Sequence, residues 1–241
     1  MIFMTLQFAG VVGKSTIAEY VLRPRMPQAA FIAVESINSS ASDLSADEIQ
    51  KFRGEQIVKI LDSIEFADGN AIVDIGSSNV EAFLKKLPDH PDIFENVHRY
   101  IVPVTPDKKV QKDALRTVTA LSALGVERNK IILLPNHIKE SVEEDLSAEF
   151  LKQVSGEKKA RINEAMFIKH REIFEFLFEF GGSLEELREN RMAYKDEARK
   201  LKAADPDSTE ARTFMTMGTH GGTAGVVIPE LDRIFAYLVG A

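Results

Sequence analysis

The sequence predicts an α/β fold: a mostly parallel sheet of about seven strands flanked by helices, with a helical elaboration towards the C-terminus. Three observations predict it. Short apolar, strand-like runs alternate with helical patterns through the first two thirds of the chain. The first such run ends in a glycine-containing turn that leads straight into a helix. From about Gly181 onward the periodicity is mainly helical. With 241 residues, the chain is read as one domain, 1–241, with the elaboration starting near residue 181.

The elements follow in order. Residues 1–8 are mostly apolar and form a first strand. The turn Gly10 to Gly13 precedes a helix over 14–22, which Pro24 and Pro27 end. Phe31-Ile32-Ala33-Val34-Glu35 is a second buried strand, and the Ser- and Asn-rich stretch 37–44 is a loop. Ser45 is a good N-cap with Glu48 three residues on, so a helix is expected from there to about Phe66. Asp68-Gly69 turns the chain into a third strand, 70–75, which carries the acid Asp74 at its end. A helix over 79–87, a break at 88–91, a strand over 98–104, a helix over 108–124 with Gly125 as C-cap, and a strand over 130–134 come next.

Two later segments are ambiguous by period. Residues 173–180 alternate like a strand, but Glu172, Glu175 and Glu179 fall on one helical stripe. Residues 163–168 are therefore the better strand, and a helix starts near Arg171. Leu184, Leu187, Arg191, Tyr194, Ala198 and Leu201 then recur at 3,4,3,4,3 spacing, a heptad-like seam that Arg191 interrupts. That face packs on its own domain or on a partner helix. The glycine-rich stretch Gly218 to Gly225 reads as a flexible connection, an anion cradle or a dimer contact before a last helix over 229–239.

Composition removes several function classes. Hydrophobic residues at 44% and charged residues at 28% can build a core, which excludes wholesale disorder. The absence of cysteine excludes disulfides, thiolate metal sites, iron–sulfur clusters and a cysteine nucleophile, and fits a reducing compartment. No apolar run reaches the ~18–20 residues of a membrane span, and the first residues lack the basic region and cleavage site of a signal peptide. The formal charge of −7 argues against a protein that coats nucleic acid, and leaves only a local basic patch. Lys158, Lys159, Arg161, Lys169 and Arg171 are such a cluster, diluted by Glu157, Glu164 and Glu172. The five histidines lack metal-ligand spacing.

The chemistry sits in Phe8-Ala9-Gly10-Val11-Val12-Gly13-Lys14-Ser15-Thr16. Its Gly13-Lys14-Ser15 matches the second half of the phosphate-loop pattern GxxxxGK[ST], although Phe8 stands at the first glycine. A turn between strand and helix aims backbone N–H groups inward, and the helix N-terminus adds its positive end, so phosphate oxygens are held by amides. Lys14 would reach the β- and γ-phosphates, and the Ser15 hydroxyl would ligate Mg²⁺. Asp74, ending the third strand, is placed to hold the same metal. A dinucleotide fingerprint, GxGxxG, competes for these residues. It takes Gly10 and Gly13, with Glu35 as its ribose acid, but lacks the glycine at Phe8 and does not use Lys14, Ser15 or Asp74.

The order of these pieces resembles the ParA/MinD group of P-loop ATPases, and more closely the plasmid-stability StbB proteins. Besides the loop, Leu22-Arg23-Pro24-Arg25-Met26 and Ala33-Val34-Glu35-Ser36-Ile37-Asn38 carry the resemblance, which is specific over the first 80 or so residues. It implies a bacterial cytoplasmic protein that binds ATP and Mg²⁺, works as a homodimer with a plasmid-encoded DNA-binding partner, and serves plasmid stability, partition or conjugation. Gly10, Val11, Val12, Gly13, Lys14, Ser15 and Thr16 match the loop, and Asp74 the acid after the third strand. The resemblance makes Glu35 the candidate to order the attacking water and Asn136 the candidate to read adenine; as a residue after Pro135, Asn136 is equally a turn. Ser77 and Ser78 would belong to a switch loop, although Ser78 also suits a plain N-cap. Ala9 departs from the pattern, which has a lysine there, so slow hydrolysis is expected without a partner. A non-hydrolysing adaptor and a small-molecule kinase stay open as other classes, and so does an oxidoreductase built on the dinucleotide fingerprint.

Overall fold

The computed structural model describes residues 1–35, 49–52, 56–67 and 69–240. Two compact units are formed, Met1–His170 with Ile234–Ala241, and Arg171–Arg233.

The first unit holds the sheet. β1 (Ile2–Leu6) and β4 (Ala71–Ile75) are buried at every position, as central strands covered on both faces must be. β2 (Ala30–Val34), β3 (Ile49–Phe52), β5 (Val97–Val104), β6 (Ile131–Ile138), β7 (Arg161–Ile162) and β8 (Ile168–Lys169) complete it. The order is β3-β2-β4-β1-β5-β6-β7, with β8 pairing β6 off this path, and every pairing is parallel. The helices are α1 (Lys14–Thr16), α2 (Ile57–Phe66), α3 (Val80–Lys86), α4 (Pro91–Asn96), α5 (Lys108–Ala123), α6 (Val142–Asp145) and α7 (Ala148–Glu157). α1 runs on as a π-helical stretch, Ile17–Leu22, into a 3₁₀ turn, Arg23–Arg25, that contains Pro24. The core lies between sheet and helices, around side chains such as Met4, Leu6, Ile32, Phe83, Tyr100 and Leu133. Each of these contributes roughly 1.5–3 kcal/mol by leaving water.

The topology also places the site. From β1 the chain crosses to β2 on one side, and from β4 it passes over β1 to β5 on the other. The two directions part at β1, and ligands of open α/β sheets bind outside the carboxyl ends of the strands at such a point.

Local readings fail in three places. Residues 49–52 are not helix but β3, paired with β2 from Phe31↔Ile49 to Val34↔Phe52, and the helix starts only at Ile57. A four-residue run with apolar ends fits either period, and pairing with an apolar neighbour decides it. Ser45 and Glu48, expected to cap that helix, lie outside the described residues. The strand expected over 163–168 does not form: Met166 N–H on Asn163 O closes a turn there, and only Ile168 of that range is in a strand, with the two-residue β7 and β8 on either side of the turn. β6 runs past Pro135 to Ile138 because it changes neighbour there, from β5 to β8.

The third failure concerns the glycine-rich stretch. The second unit is helical: α8 (Glu172–Phe180), α9 (Leu184–Glu189), α10 (Arg191–Ala204) and α11 (Thr209–Gly240), the last of which continues into the first unit. Gly218 to Gly225 lie inside α11, not in a loop. Added side-chain carbons at Gly218 and Gly221 would meet Lys195 and the backbone oxygen of Leu187. The seam read in the sequence thus packs within its own unit, with Leu184, Leu187 and Ala198 buried and Arg191 lying across Gly222. Arg191 interrupts the apolar spacing because it faces glycines, whose missing side chains make room for its stem. Among the described residues no helix is long and apolar enough to cross a membrane.

Candidate functional site

The register of the two central strands builds the base of the site. β1 and β4 pair with Thr5 beside Asp74, so both side chains leave the sheet on the same face. Thr5 Oγ1 donates to Asp74 Oδ1 at 2.7 Å, and Ser15 Oγ donates to Asp74 Oδ2 at 2.7 Å. Thr5 and Asp74 are buried, while Ser15 is exposed, so the serine end of this relay opens to a ligand.

The loop between β1 and α1 is held from both ends. Gly13 starts the helix in the left-handed region, φ 88°, with no side-chain cap on the first N–H groups. A side-chain carbon there would fall 2.0 Å from Asn136 Nδ2. Asn136 is fully buried in β6, where that strand changes neighbour from β5 to β8, and its Nδ2 donates to Val12 O at 2.9 Å. Val11 is 97% exposed with φ 52°, a strained conformation for a β-branched residue that only a firmly held loop sustains. Gly10 lies at the mouth, where an added carbon would be 3.5 Å from Ser77 Oγ. Thr16 follows in the first helical turn.

Phe8 is accommodated where the loop pattern has glycine because its backbone does not take positive φ. Its N–H donates to Thr117 Oγ1 at 3.3 Å, and its ring lies under Arg116, with the guanidinium carbon 4.2 Å from the ring centre. Gln7, fully buried, donates to Pro103 O and Val110 O, and accepts from Ala9 N. The start of the loop is thereby fastened to α5.

Lys14 is buried, and its Nζ donates to Ala9 O at 2.9 Å and stands 3.5 Å from Gln7 O. Burial lowers its ammonium pKa, while the Asp74 charge pulls the other way. Burial raises the Asp74 carboxyl above its usual range, against the hydroxyls of Ser15 and Thr5 and the charge of Lys14; the charge of Glu35 adds to the rise. Glu35 follows β2 at the same edge of the sheet, with its N–H on Phe52 O at 2.8 Å.

The structure therefore brings Lys14, Ser15 and Asp74 together, with Gly10 to Thr16 wrapped in front of them and Asn136 beneath Val12 and Gly13. Sequence reading missed Thr5, Gln7 and Thr117. A polar residue in an apolar central strand was the available signal for the first two; Thr117 had none, because its helix is remote in sequence. In the basic cluster, Lys159 pairs with Glu157 at 2.9 Å, and Arg171 takes Glu230 in a fork at 2.6 and 2.9 Å. Ser77 and Ser78 form a 3₁₀ turn with Asn79, and Asn79 rather than Ser78 caps α3.

A carboxyl whose folded pKa lies above its unfolded one supports folding fully below the unfolded value, and that support is lost as pH rises through the folded value. Asp74→Asn keeps the shape and removes the buried charge. Without nucleotide at neutral pH the variant should melt higher than the parent, the gap closing at acid pH. Thermal melts across pH check this; a variant less stable at pH 7 would refute it.

No family profile and no curated protein matches the chain. Solved structures are similar to it. Apo McdA of Cyanothece is 12% identical, with 90% of this chain and 98% of that one covered at a TM-score of 0.47. The septum site-determining protein MinD of Pyrococcus horikoshii, complexed with Mg-ADP, is 12% identical, with 90% and 93% covered at 0.48. Both are likenesses of chain fold, and the chemistry of this site stands on its own residues.

Proposed function

We propose that this protein is an ATP-binding switch of the ParA/MinD kind that hydrolyses ATP slowly on its own. One observation carries the reading: exposed Ser15 and buried Asp74 share a hydrogen bond at 2.7 Å at the switch point of the sheet, one residue from buried Lys14. The loop Gly10, Val11, Val12, Gly13, Lys14, Ser15, Thr16 would hold the phosphates by its N–H groups, with Lys14 leaving Ala9 O for the β- and γ-phosphates. Ser15 and Asp74 offer hard oxygens that fit Mg²⁺, which when bound would neutralise phosphate charge. Glu35, whose charge is felt at Asp74, is the candidate to order water. Asn136 stays the candidate to read adenine, its Oδ1 having no hydrogen-bond partner; to meet a base it would have to leave its buried place beneath Val12 and Gly13.

Ala9 puts no cation at the loop mouth, which supports slow hydrolysis and keeps a second reading in place: an adaptor that binds ATP without turning it over. The wider role we assign is plasmid stability, partition or conjugative transfer in a bacterial cytoplasm. The protein would act as a homodimer with a plasmid-encoded DNA-binding partner, any direct DNA contact coming from the local basic patch.

Titration of labelled ATP against the parent and Lys14→Ala tests the core of this. Loss of the loop cation should weaken binding about 30-fold, roughly 2 kcal/mol. Equal affinity in both would refute it, and NADH binding in place of ATP would favour the dinucleotide reading. Phosphate release separates switch from adaptor; turnover at ~1 s⁻¹ or more without a partner would contradict slow hydrolysis.

A further inference from the structure

The loop has one cation of its own, Lys14, and its Nζ is directed into the loop, on Ala9 O. Phosphoryl transfer from ATP spreads negative charge over the γ-phosphoryl oxygens, and catalysis of that step consists largely of positive groups aimed at them. Arg116 of α5 is a second cation beside the loop. It is exposed, and its guanidinium rests on the Phe8 ring, next in sequence to Ala9. Among the described residues no carboxylate pairs with it. An exposed guanidinium on an aromatic face is held by only ~0.5–1 kcal/mol, so an anion can draw it away. The helix that carries it is bound to the start of the loop through Phe8 N to Thr117 Oγ1 and Gln7 Nε2 to Val110 O, both at 3.3 Å, so Arg116 keeps its station relative to the phosphate cradle.

We infer that Arg116 is a catalytic residue, the second cation of this site, parked on Phe8 in the resting and ATP-bound protein and drawn to the γ-phosphoryl oxygens only as charge builds on them during transfer. The inference rests on the ATP-binding reading above. In the step it serves, a water oxygen bonds to the γ-phosphorus while the bond from that phosphorus to the β,γ-bridging oxygen breaks. ADP departs with the electron pair, a water proton passes to solvent, and the guanidinium keeps its protons while offsetting charge on the oxygens it contacts. Phe8 at the first position of the loop pattern is then the shelf that stations this arginine.

Single-turnover hydrolysis of labelled ATP, with affinity measured separately, is the experiment. Arg116→Ala should slow hydrolysis about 100-fold or more, while ATP affinity changes less than ~3-fold and the melting temperature stays put. Arg116→Lys should retain an intermediate rate, since the charge remains without the fork. A cation restored one residue along the loop, Ala9→Lys on Arg116→Ala, should recover part of the loss. Hydrolysis by Arg116→Ala at the parental rate, or a parent that does not hydrolyse ATP at all, overturns the inference. So does a loss shared equally by the Ala and Lys variants together with a lowered melting temperature, which would make Arg116 a packing residue. A parent that fails to bind ATP overturns this inference and the reading beneath it together; binding with unchanged hydrolysis in Arg116→Ala overturns this one alone.

Discussion

Gly13→Ala should abolish ATP binding in practice, weakening it more than ~100-fold, about 3 kcal/mol. Two separate effects combine. Gly13 has φ 88°, where an L-residue is strained by roughly 1–2 kcal/mol. Its new carbon would also fall 2.0 Å from Asn136 Nδ2, far inside contact distance. A flexible surface side chain would step aside, but Asn136 is fully buried and tied to Val12 O, so moving it breaks a bond to the loop itself. The loop must open, and its N–H groups then no longer converge on a phosphate. A double-variant cycle divides the two effects: Gly13→Ala with Asn136→Ala should relieve the clash and leave only the backbone strain. Isothermal titration on the singles and the double measures both, and a Gly13→Ala protein that binds ATP like the parent would show that the loop does not depend on this close approach.

Gly221→Ala should destabilise the helical unit by about 2–3 kcal/mol and lower its melting temperature by roughly 5–10 °C. Alanine is the better helix former by ~1 kcal/mol, so propensity alone predicts the opposite sign. The close approach outweighs it: an added carbon would lie 2.3 Å from Leu187 O and 2.8 Å from Arg191 Cβ, the first of them backbone that cannot rotate away. Gly225, in the same helix, has nothing within 4 Å of an added carbon. Gly225→Ala should therefore stabilise by up to ~1 kcal/mol, the propensity effect unopposed. Urea unfolding of the two variants side by side decides the matter. Equal or greater stability in Gly221→Ala would mean that α11 does not need to approach α9 and α10 so closely.

These two glycines show where a sequence can and cannot be read. Gly13 is legible because its constraint is local: a strand, a turn and a helix follow each other without interruption, and glycine with Lys14 and Ser15 marks the junction. Gly221 is misleading because a cluster of glycines has two opposite uses, a free chain or the tightest helix contact, and composition does not distinguish them. Asp74 is legible as an acid at the end of an apolar strand. Its partner Thr5 is legible only as an oddity, since the pairing that unites them depends on register between strands remote in sequence. The meeting of Phe8 with Arg116 leaves no sequence signal at all.

By itself the sequence determined the alternation of strands and helices, the α/β class, the helical C-terminal part and the position of the loop between the first strand and its helix. These follow from apolar period, turn residues and caps, which act over a few neighbours at a time. Only the tertiary structure decided that 49–52 is an edge strand, that the glycines of α11 are a packing face, and that α5 holds the start of the loop and brings a second cation to it. Each of those depends on burial and hydrogen bonds between segments distant along the chain, and where local preferences amount to a few tenths of a kcal/mol per residue, such contacts prevail.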